Sequence, residues 1–133
     1  MLIEVSPAAG TGIRAILVVD DDAAMRRALV RLLQHDGHRV ESAANGREGL
    51  AKLQAQDYDY ILCDLHMPAL DGPGMYRDVE QRAPHLCRRF VFITGDALSS
   101  EAATFLRQVP VPYLTKPFTA MAIRRLINPP TPA

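Results

Sequence analysis

The sequence predicts an α/β fold in which five strand–helix units build one parallel sheet. Two observations predict it. Short apolar runs alternate with longer segments of helical periodicity, and three of these runs stop at a charged residue, at Asp20, Asp64 and Lys116. Such regular alternation favours parallel strands, because each right-handed crossover returns a helix over the sheet and so covers both of its faces.

The elements follow one another in chain order. The predicted strands are Ala15–Asp20, His38–Ser42, Tyr58–Asp64, Arg88–Thr94 and Val111–Thr115. The predicted helices are Ala23–Gln34, Gly46–Ala55, Gly72–Arg82, Ser99–Arg107 and Thr119–Ile127. Asp22 and Ser99 each offer a side-chain oxygen to free backbone N–H groups, so we expect them to cap the first and fourth helices.

The first helix has an apolar stripe that identifies its buried side. Met25, Leu29, Leu32 and Leu33 fall at positions i, i+4, i+7 and i+8. Residues at this spacing share one face of a helix. We therefore expect them to pack against the sheet.

Length and terminal composition predict a single folded unit. The chain has 133 residues, and one hydrophobic core usually serves about 100–200 residues. Residues 1–13 contain Pro7, Gly10 and Gly12 with little periodicity, which is typical of a flexible lead-in or linker. Residues 129–133 form a proline-rich tail that cannot continue a helix. The folded domain is predicted to span residues 14–128.

The composition is that of a soluble globular protein. Basic and acidic residues number 15 each, so there is no overall positive charge to hold nucleic acid. No apolar stretch approaches the roughly 20 residues needed to cross a bilayer, so we expect no membrane insertion. Two cysteines build no disulfide framework, which suits the cytoplasm. His35, His38 and His85 have no metal-ligand spacing and are expected at surface or helix-end positions.

Charged and polar side chains at the strand ends predict the functional site. The carboxyl ends of parallel strands meet at one edge of a sheet, so Asp20, Asp21 and Asp64 are expected to lie together. Carboxylates this close repel each other, and a hard divalent cation such as Mg²⁺ removes the repulsion. Lys116 and Thr94 would add an ammonium and a hydroxyl group at the same edge. These parts suit phosphoryl transfer to an aspartate.

Four segments, in the same order, resemble the response-regulator receiver domains of two-component signalling. They are Ile16–Asp21, Ile61–Pro68 with Asp71-Gly72, Phe92–Gly95 and Tyr113–Phe118. The resemblance implies a flavodoxin-like, doubly wound (βα)5 fold with strand order 2-1-3-4-5. It also implies a signalling domain that catalyses only its own phosphorylation and dephosphorylation, with Mg²⁺ as its cofactor.

The resemblance assigns the metal and phosphoryl roles. Asp64 corresponds to the phosphoacceptor and Asp21 to the direct metal ligand. Asp20 would act largely through a metal-bound water, and the backbone carbonyl of His66 would complete the protein ligands. Thr94 and Lys116 correspond to the groups that contact phosphoryl oxygens.

Further roles concern switching and lifetime. Tyr113 corresponds to the family's switch aromatic, which rotates when Thr94 moves toward phosphate. Lys116-Pro117 corresponds to the family's cis peptide. His66 and Asp96 correspond to side chains that flank the path of the hydrolytic water, so we expect them to tune the lifetime of the acyl phosphate.

The implied partner is a histidine kinase or a histidine phosphotransfer domain. Ala24, Arg27, Ala28 and Arg31 form a helical face beside the acidic pocket that could dock it. Phe92–Ser99 and the approach to the fifth strand resemble receivers fused to hybrid sensor histidine kinases. A free-standing single-domain regulator remains the alternative, and the oligomeric state is open.

Two other classes explain the residues less well. A haloacid-dehalogenase-like phosphatase would use Asp20 and Asp22, but it needs acids after Lys116, and the chain from Pro117 onward has none. It also leaves Asp64 without a role. A flavin or nucleotide binder needs a glycine-rich turn after the first strand, where this chain has three aspartates.

Overall fold

The computed structural model describes residues 12–95 and 99–127. Asp96, residues 1–11 of the predicted lead-in, Asn128 and the predicted tail 129–133 lie outside the described residues. Within the described part of the chain, no helix is long and apolar enough to cross a membrane.

Strands and helices alternate along the chain. The strands are β1 (Ala15–Val19), β2 (Arg39–Ala43), β3 (Tyr60–Asp64), β4 (Phe90–Thr94) and β5 (Tyr113–Thr115). The helices are α1 (Ala23–His35), α2 (Gly46–Ala55), α3 (Gly72–Arg82), α4 (Ser100–Gln108) and α5 (Ala120–Ile127).

The strands form one parallel sheet in the order β2-β1-β3-β4-β5, which confirms the predicted topology. The register aligns the carboxyl ends of the central strands. Val19 at the end of β1 pairs with Cys63, so Asp20 lies beside Asp64. Asp64 in turn pairs with Ile93, the residue before Thr94. This register brings the predicted site residues of three strands to one edge.

Helices cover both faces of the sheet, and each face buries its own apolar cluster. On one face Leu17, Val19 and Phe92 belong to a cluster that includes residues of α3 and α4. On the other face Ile16 and Val18 pack with α1 and α5. Alternation along β1 follows from the two-residue period of a strand. Full burial of one such side chain stabilises the fold by roughly 1.5–3 kcal/mol.

The predicted stripe and caps of the helices are confirmed. Leu29 and Leu33 are buried on the sheet, with Met25 and Leu32 packed beside them. Asp22 caps α1, and Ser99 caps α4 by accepting a hydrogen bond from Ala102 N.

One expectation was wrong. Arg88 and Arg89 do not begin β4, because Pro84–Arg89 forms a 3-10 helix before it; proline suits its first position, where no N–H is needed.

His38 lies just beyond the end of α1, where its N–H donates to Leu33 O at 3.1 Å, so of the two predicted positions it takes the helix end and not the surface. Its side chain is 6% exposed, and its Nδ1 accepts a hydrogen bond from Arg14 N at 3.0 Å. Burial is the main reason that the pKa of His38 is lowered.

Candidate functional site

Three carboxylates converge at the carboxyl edge of the sheet. One oxygen from each of Asp20, Asp21 and Asp64 lies within 4.8 Å of the other two. Asp20 and Asp64 are buried, while Asp21 is exposed. The cluster is therefore open to solvent on the Asp21 side, where a hydrated ion could enter.

Backbone contacts hold the turn that carries two of these acids. The Asp20 N–H donates to Ala43 O at 3.1 Å, which ties the end of β1 to β2. The Asp20 carboxylate accepts from Asp22 N at 2.9 Å. Asp22 itself accepts from Ala24 N and Met25 N at the start of α1. The turn is thus fixed between a strand end and a helix cap.

Burial and neighbouring like charges both act on the acids of the cluster. The pKa of Asp20 is raised, chiefly by burial and further by the carboxylates of Asp64 and Asp21. Lys116 opposes this effect: its Nζ lies 3.4 Å from Asp64 Oδ2 and 3.6 Å from Asp20 Oδ2. Three ionised carboxylates and one ammonium leave a net charge of about −2, which suits a divalent cation with oxygen ligands.

Thr94 and Lys116 are joined through the backbone. Thr94 ends β4 with its side chain fully buried, and it pairs with Thr115 at the end of β5. The N–H of Lys116 donates to Thr94 O at 2.7 Å. The Lys116-Pro117 peptide is cis, as the resemblance implied. The sheet therefore brings the hydroxyl and the ammonium groups to the edge that carries the acids.

Two other predicted residues lie around this centre. His66 is exposed and lines a groove of about 530 Å³ between α3 and α4. Tyr113 is 46% exposed and pairs with Phe92. Because side chains alternate along a strand, Tyr113 lies on the same face of the sheet as Thr94. Asp96 falls outside the described residues.

The predicted docking face lies next to the acidic turn. Ala24, Arg27, Ala28 and Arg31 are all exposed. Their spacing of i, i+3, i+4 and i+7 places them on one side of α1. The face begins two residues after the turn that carries Asp20 and Asp21.

Sequence reasoning missed the role of the loop between β3 and α3. A Cβ atom on Gly72 would lie 2.6 Å from Asp64 O and 2.9 Å from Leu65 Cα. The Gly72 N–H donates to Leu65 O at 3.0 Å. Gly72 therefore packs against the backbone of Asp64 so closely that no Cβ atom fits. The Asp71-Gly72 pair signals a turn, but nothing in that pattern reveals this contact.

The same loop carries a second local feature that the sequence did not indicate. Ala69 has a φ of 67°, which is unusual for a residue with a Cβ atom. Next to it, Leu70 O accepts a hydrogen bond from Gly46 N at 2.9 Å. The loop after Asp64 is thereby tied to the start of α2.

Comparison with known proteins gives a family. Residues 16–128 match the model described as the response regulator receiver domain. Among curated relatives, "Sensor kinase CckA" of Brucella abortus (strain 2308) is 32% identical over 111 residues, covering 82% of this chain and 12% of that protein. "Response regulator protein FleR" of Pseudomonas aeruginosa is 30% identical over 112 residues, covering 84% of this chain and 23% of that protein. The chain thus spans less than a quarter of either relative.

Solved structures show the same architecture. The receiver domain of a sensor histidine kinase from Pseudomonas aeruginosa PAO1, with a magnesium ion coordinated in its active site cleft, is 27% identical and superposes with a TM-score of 0.77. That match covers 87% of this chain and 95% of the other. Chemotaxis protein CheY4 of Vibrio cholerae is 28% identical, with a TM-score of 0.77 and coverage of 87% and 97%. Fold, strand-end chemistry and family match agree, and the chain belongs to the response regulator receiver domains.

Proposed function

We propose that Asp64 accepts a phosphoryl group from a phosphohistidine of a histidine kinase or phosphotransfer protein, in a reaction that needs Mg²⁺. The observation that carries this proposal is the convergence of Asp20, Asp21 and Asp64 within 4.8 Å beside Lys116. As a signalling domain, this chain would catalyse only its own phosphorylation and dephosphorylation.

The acidic cluster suits magnesium on chemical grounds. All its side-chain donors are carboxylate oxygens, which Mg²⁺ prefers, and Mg²⁺ keeps several of its waters. We assign Asp21 and Asp64 as direct ligands, Asp20 as a ligand through water, and the His66 carbonyl as the remaining protein donor. Bound there, the ion would neutralise charge on the transferring phosphoryl group.

The side chains then have separate tasks in the transfer. An Asp64 carboxylate oxygen attacks phosphorus, so that an O–P bond forms while the P–N bond to the donor histidine breaks. Lys116, already 3.4 Å from Asp64 Oδ2, is placed to pair with a phosphoryl oxygen. Thr94 would donate its hydroxyl to another. Catalysis of this kind is mostly positioning and charge stabilisation.

The signal would pass through Thr94 and Tyr113. The two residues share one face of the sheet, on the adjacent strands β4 and β5. Thr94 moving toward the phosphoryl group would free space for the Tyr113 ring, which is now 46% exposed, to turn inward. Phosphorylation would thus shift the population between two packings. His66 and Asp96 would set how long the phosphorylated state lasts.

A histidine kinase or phosphotransfer domain would dock on Ala24, Arg27, Ala28 and Arg31. The exposure of all four beside the acidic turn supports this face. A hybrid sensor kinase is the favoured context, since one curated relative is named a sensor kinase and one solved neighbour is the receiver of a sensor histidine kinase. A free-standing regulator is the alternative. Two free, buried thiols fit the cytoplasm.

The proposal is tested by incubation with acetyl phosphate and Mg²⁺, followed by intact-mass measurement. We expect the mass of one phosphoryl group on the wild type, none with Asp64→Asn, and none when EDTA removes the metal. Sustained release of phosphate that persists in Asp64→Asn but is lost in Asp20→Asn would instead indicate a phosphatase of the haloacid-dehalogenase type. A wild type that shows neither the added phosphoryl mass nor the sustained release of phosphate would also overturn the phosphoacceptor assignment.

A further inference from the structure

Arg26 reaches from α1 into the acidic turn. Its Nη1 donates a hydrogen bond to the main-chain carbonyl of Asp20 at 2.7 Å, in a partly buried position. The contact is with the backbone, whereas the ion pairs of Asp20 and Asp64 among the described residues are with Lys116. The guanidinium thus holds the main chain of the turn without itself occupying a carboxylate oxygen.

This hydrogen bond completes a three-point attachment of Asp20. Its N–H is held by Ala43 O of β2, its carboxylate by Asp22 N, and its carbonyl by Arg26. The first two contacts fix the strand end and the side chain. The third acts directly on the carbonyl of the peptide that leads onward to Asp21.

The geometry of a peptide bond gives this third contact its importance. The carbonyl of Asp20 and the Cα of Asp21 lie in one rigid plane. Fixing the oxygen therefore fixes the direction in which the next residue leaves the turn. Asp21 is the exposed member of the cluster, so burial among neighbours contributes less to its orientation.

We propose that Arg26 is a positioning residue of the magnesium site, which aims the Asp21 carboxylate at the ion by holding the Asp20–Asp21 peptide. The inference rests on the proposed function, because it presumes a magnesium ion at the cluster. Arginine suits the task better than lysine, since its planar guanidinium is pre-organised and presents donors in a fixed geometry.

The test is a magnesium titration of the full chain without phosphodonor, in which calorimetry or NMR measures the Kd for Mg²⁺. Arg26→Gln removes the charge and the donor geometry, and we expect its Kd for Mg²⁺ to rise about tenfold, as when other supporting contacts of metal ligands are lost. Arg26→Lys keeps the charge, and we expect a smaller rise. Arg47→Gln is the matched control: Arg47 is exposed on the first turn of α2, and its loss should leave the Kd unchanged.

A second readout separates positioning from general damage to the fold. At saturating Mg²⁺, phosphorylation by acetyl phosphate should proceed in Arg26→Gln at close to the wild-type rate, because excess metal compensates for weaker binding. A fall in that rate with an unchanged Kd would overturn the proposal.

The remaining outcomes are also decisive. If the wild type binds Mg²⁺ and Arg26→Gln binds it with the same affinity, the role of Arg26 is overturned and the proposed function stands. If Arg26→Lys binds Mg²⁺ with wild-type affinity, the charge of residue 26 and not the position of its donors sets the affinity, and the positioning proposal is overturned. The same variant decides between the outcomes if circular dichroism shows that Arg26→Gln does not fold. Absence of magnesium binding by the wild type overturns both proposals.

Discussion

The two edges of the sheet handle polar groups in opposite ways. At the carboxyl edge, Asp20, Asp21 and Asp64 crowd together with Lys116 as the cation paired with two of them. At the amino edge, donors and acceptors are matched locally: Arg14 N donates to His38 Nδ1 at 3.0 Å. Both edges belong to the same sheet, so the difference in their polar contacts reflects a difference in what each edge does.

Contacts at the amino edge hold the fold together. Ala15 N donates to Asp59 Oδ2 at 2.8 Å, which joins the start of β1 to the segment before β3. Arg124 forms two hydrogen bonds with Asp36, at 2.8 and 3.1 Å, and links α5 to the end of α1. The hydrogen bonds from Arg124 are the main reason that the pKa of Asp36 is lowered. The polar contacts at the amino edge thus join neighbouring elements, whereas those at the carboxyl edge gather the residues of the candidate site.

The largest change in the free energy of unfolding is expected at Gly72, which packs against the main chain at the carboxyl edge. Gly72→Ala would place a Cβ atom 2.6 Å from Asp64 O, against main chain that cannot rotate away. We expect a loss of about 1–3 kcal/mol in the free energy of unfolding, as for overpacking, measured by urea denaturation. Gly95→Ala is the matched control, because its Cβ would find no neighbour closer than 4.0 Å; an equal loss there would show that the Gly72 contact is unimportant.

The crowding of charge is tested by Asp20→Asn. The amide removes a buried negative charge yet keeps an oxygen for Asp22 N, so we expect metal-free stability to rise by about 1 kcal/mol and stabilisation by Mg²⁺ to diminish. Asp57→Asn, an exposed carboxylate on another segment, should change neither quantity. Unfolding measured with EDTA and with excess Mg²⁺ gives both values. A less stable Asp20→Asn without metal would mean that the acids do not oppose each other.

Asp20 at the carboxyl edge and His38 at the amino edge should make the stability depend on pH in opposite directions. Because the pKa of Asp20 is raised, the folded state holds its proton more tightly, and the metal-free protein should lose stability as pH rises above about 3.8. The pKa of His38 is lowered, so the unfolded chain takes up the proton first, and stability should fall as pH decreases below about 6.5.

Replacement of His38 isolates the second of these effects. His38→Gln keeps an acceptor for Arg14 N and should remove the decline in stability below pH 6.5, which thermal unfolding at a series of pH values would show. An unaltered decline would place its origin in another group.

The smallest effect concerns the loop after Asp64. Ala69 has a φ of 67°, a conformation that glycine adopts without a steric penalty. Relief of that penalty, about 1–2 kcal/mol, is partly offset by the greater freedom of glycine in the unfolded chain. We expect Ala69→Gly to raise the free energy of unfolding by a few tenths of a kcal/mol, measured by urea denaturation. A decrease in stability would show that Ala69 is not under strain.

Local patterns sufficed to predict most of the fold and the gathering of the acids. Continuous apolar runs at β1 and β3 indicated buried parallel strands, and their ends gave Asp20 and Asp64. The strand order came from the family resemblance. The contacts of Gly72 with Asp64 O and of Arg26 with Asp20 O could not be predicted, because each depends on backbone position within a loop and leaves no periodic signal. The burial of His38 escaped prediction for the same reason.

The central claim is that the carboxyl edge directs phosphorus to one carboxylate. Its most direct test treats the wild type with acetyl phosphate and Mg²⁺, reduces the acyl phosphate with borohydride, and locates the resulting homoserine by peptide mass spectrometry. We expect homoserine at position 64 and none in a sample treated with EDTA. Homoserine at position 20 or 21, or at no position, would contradict it.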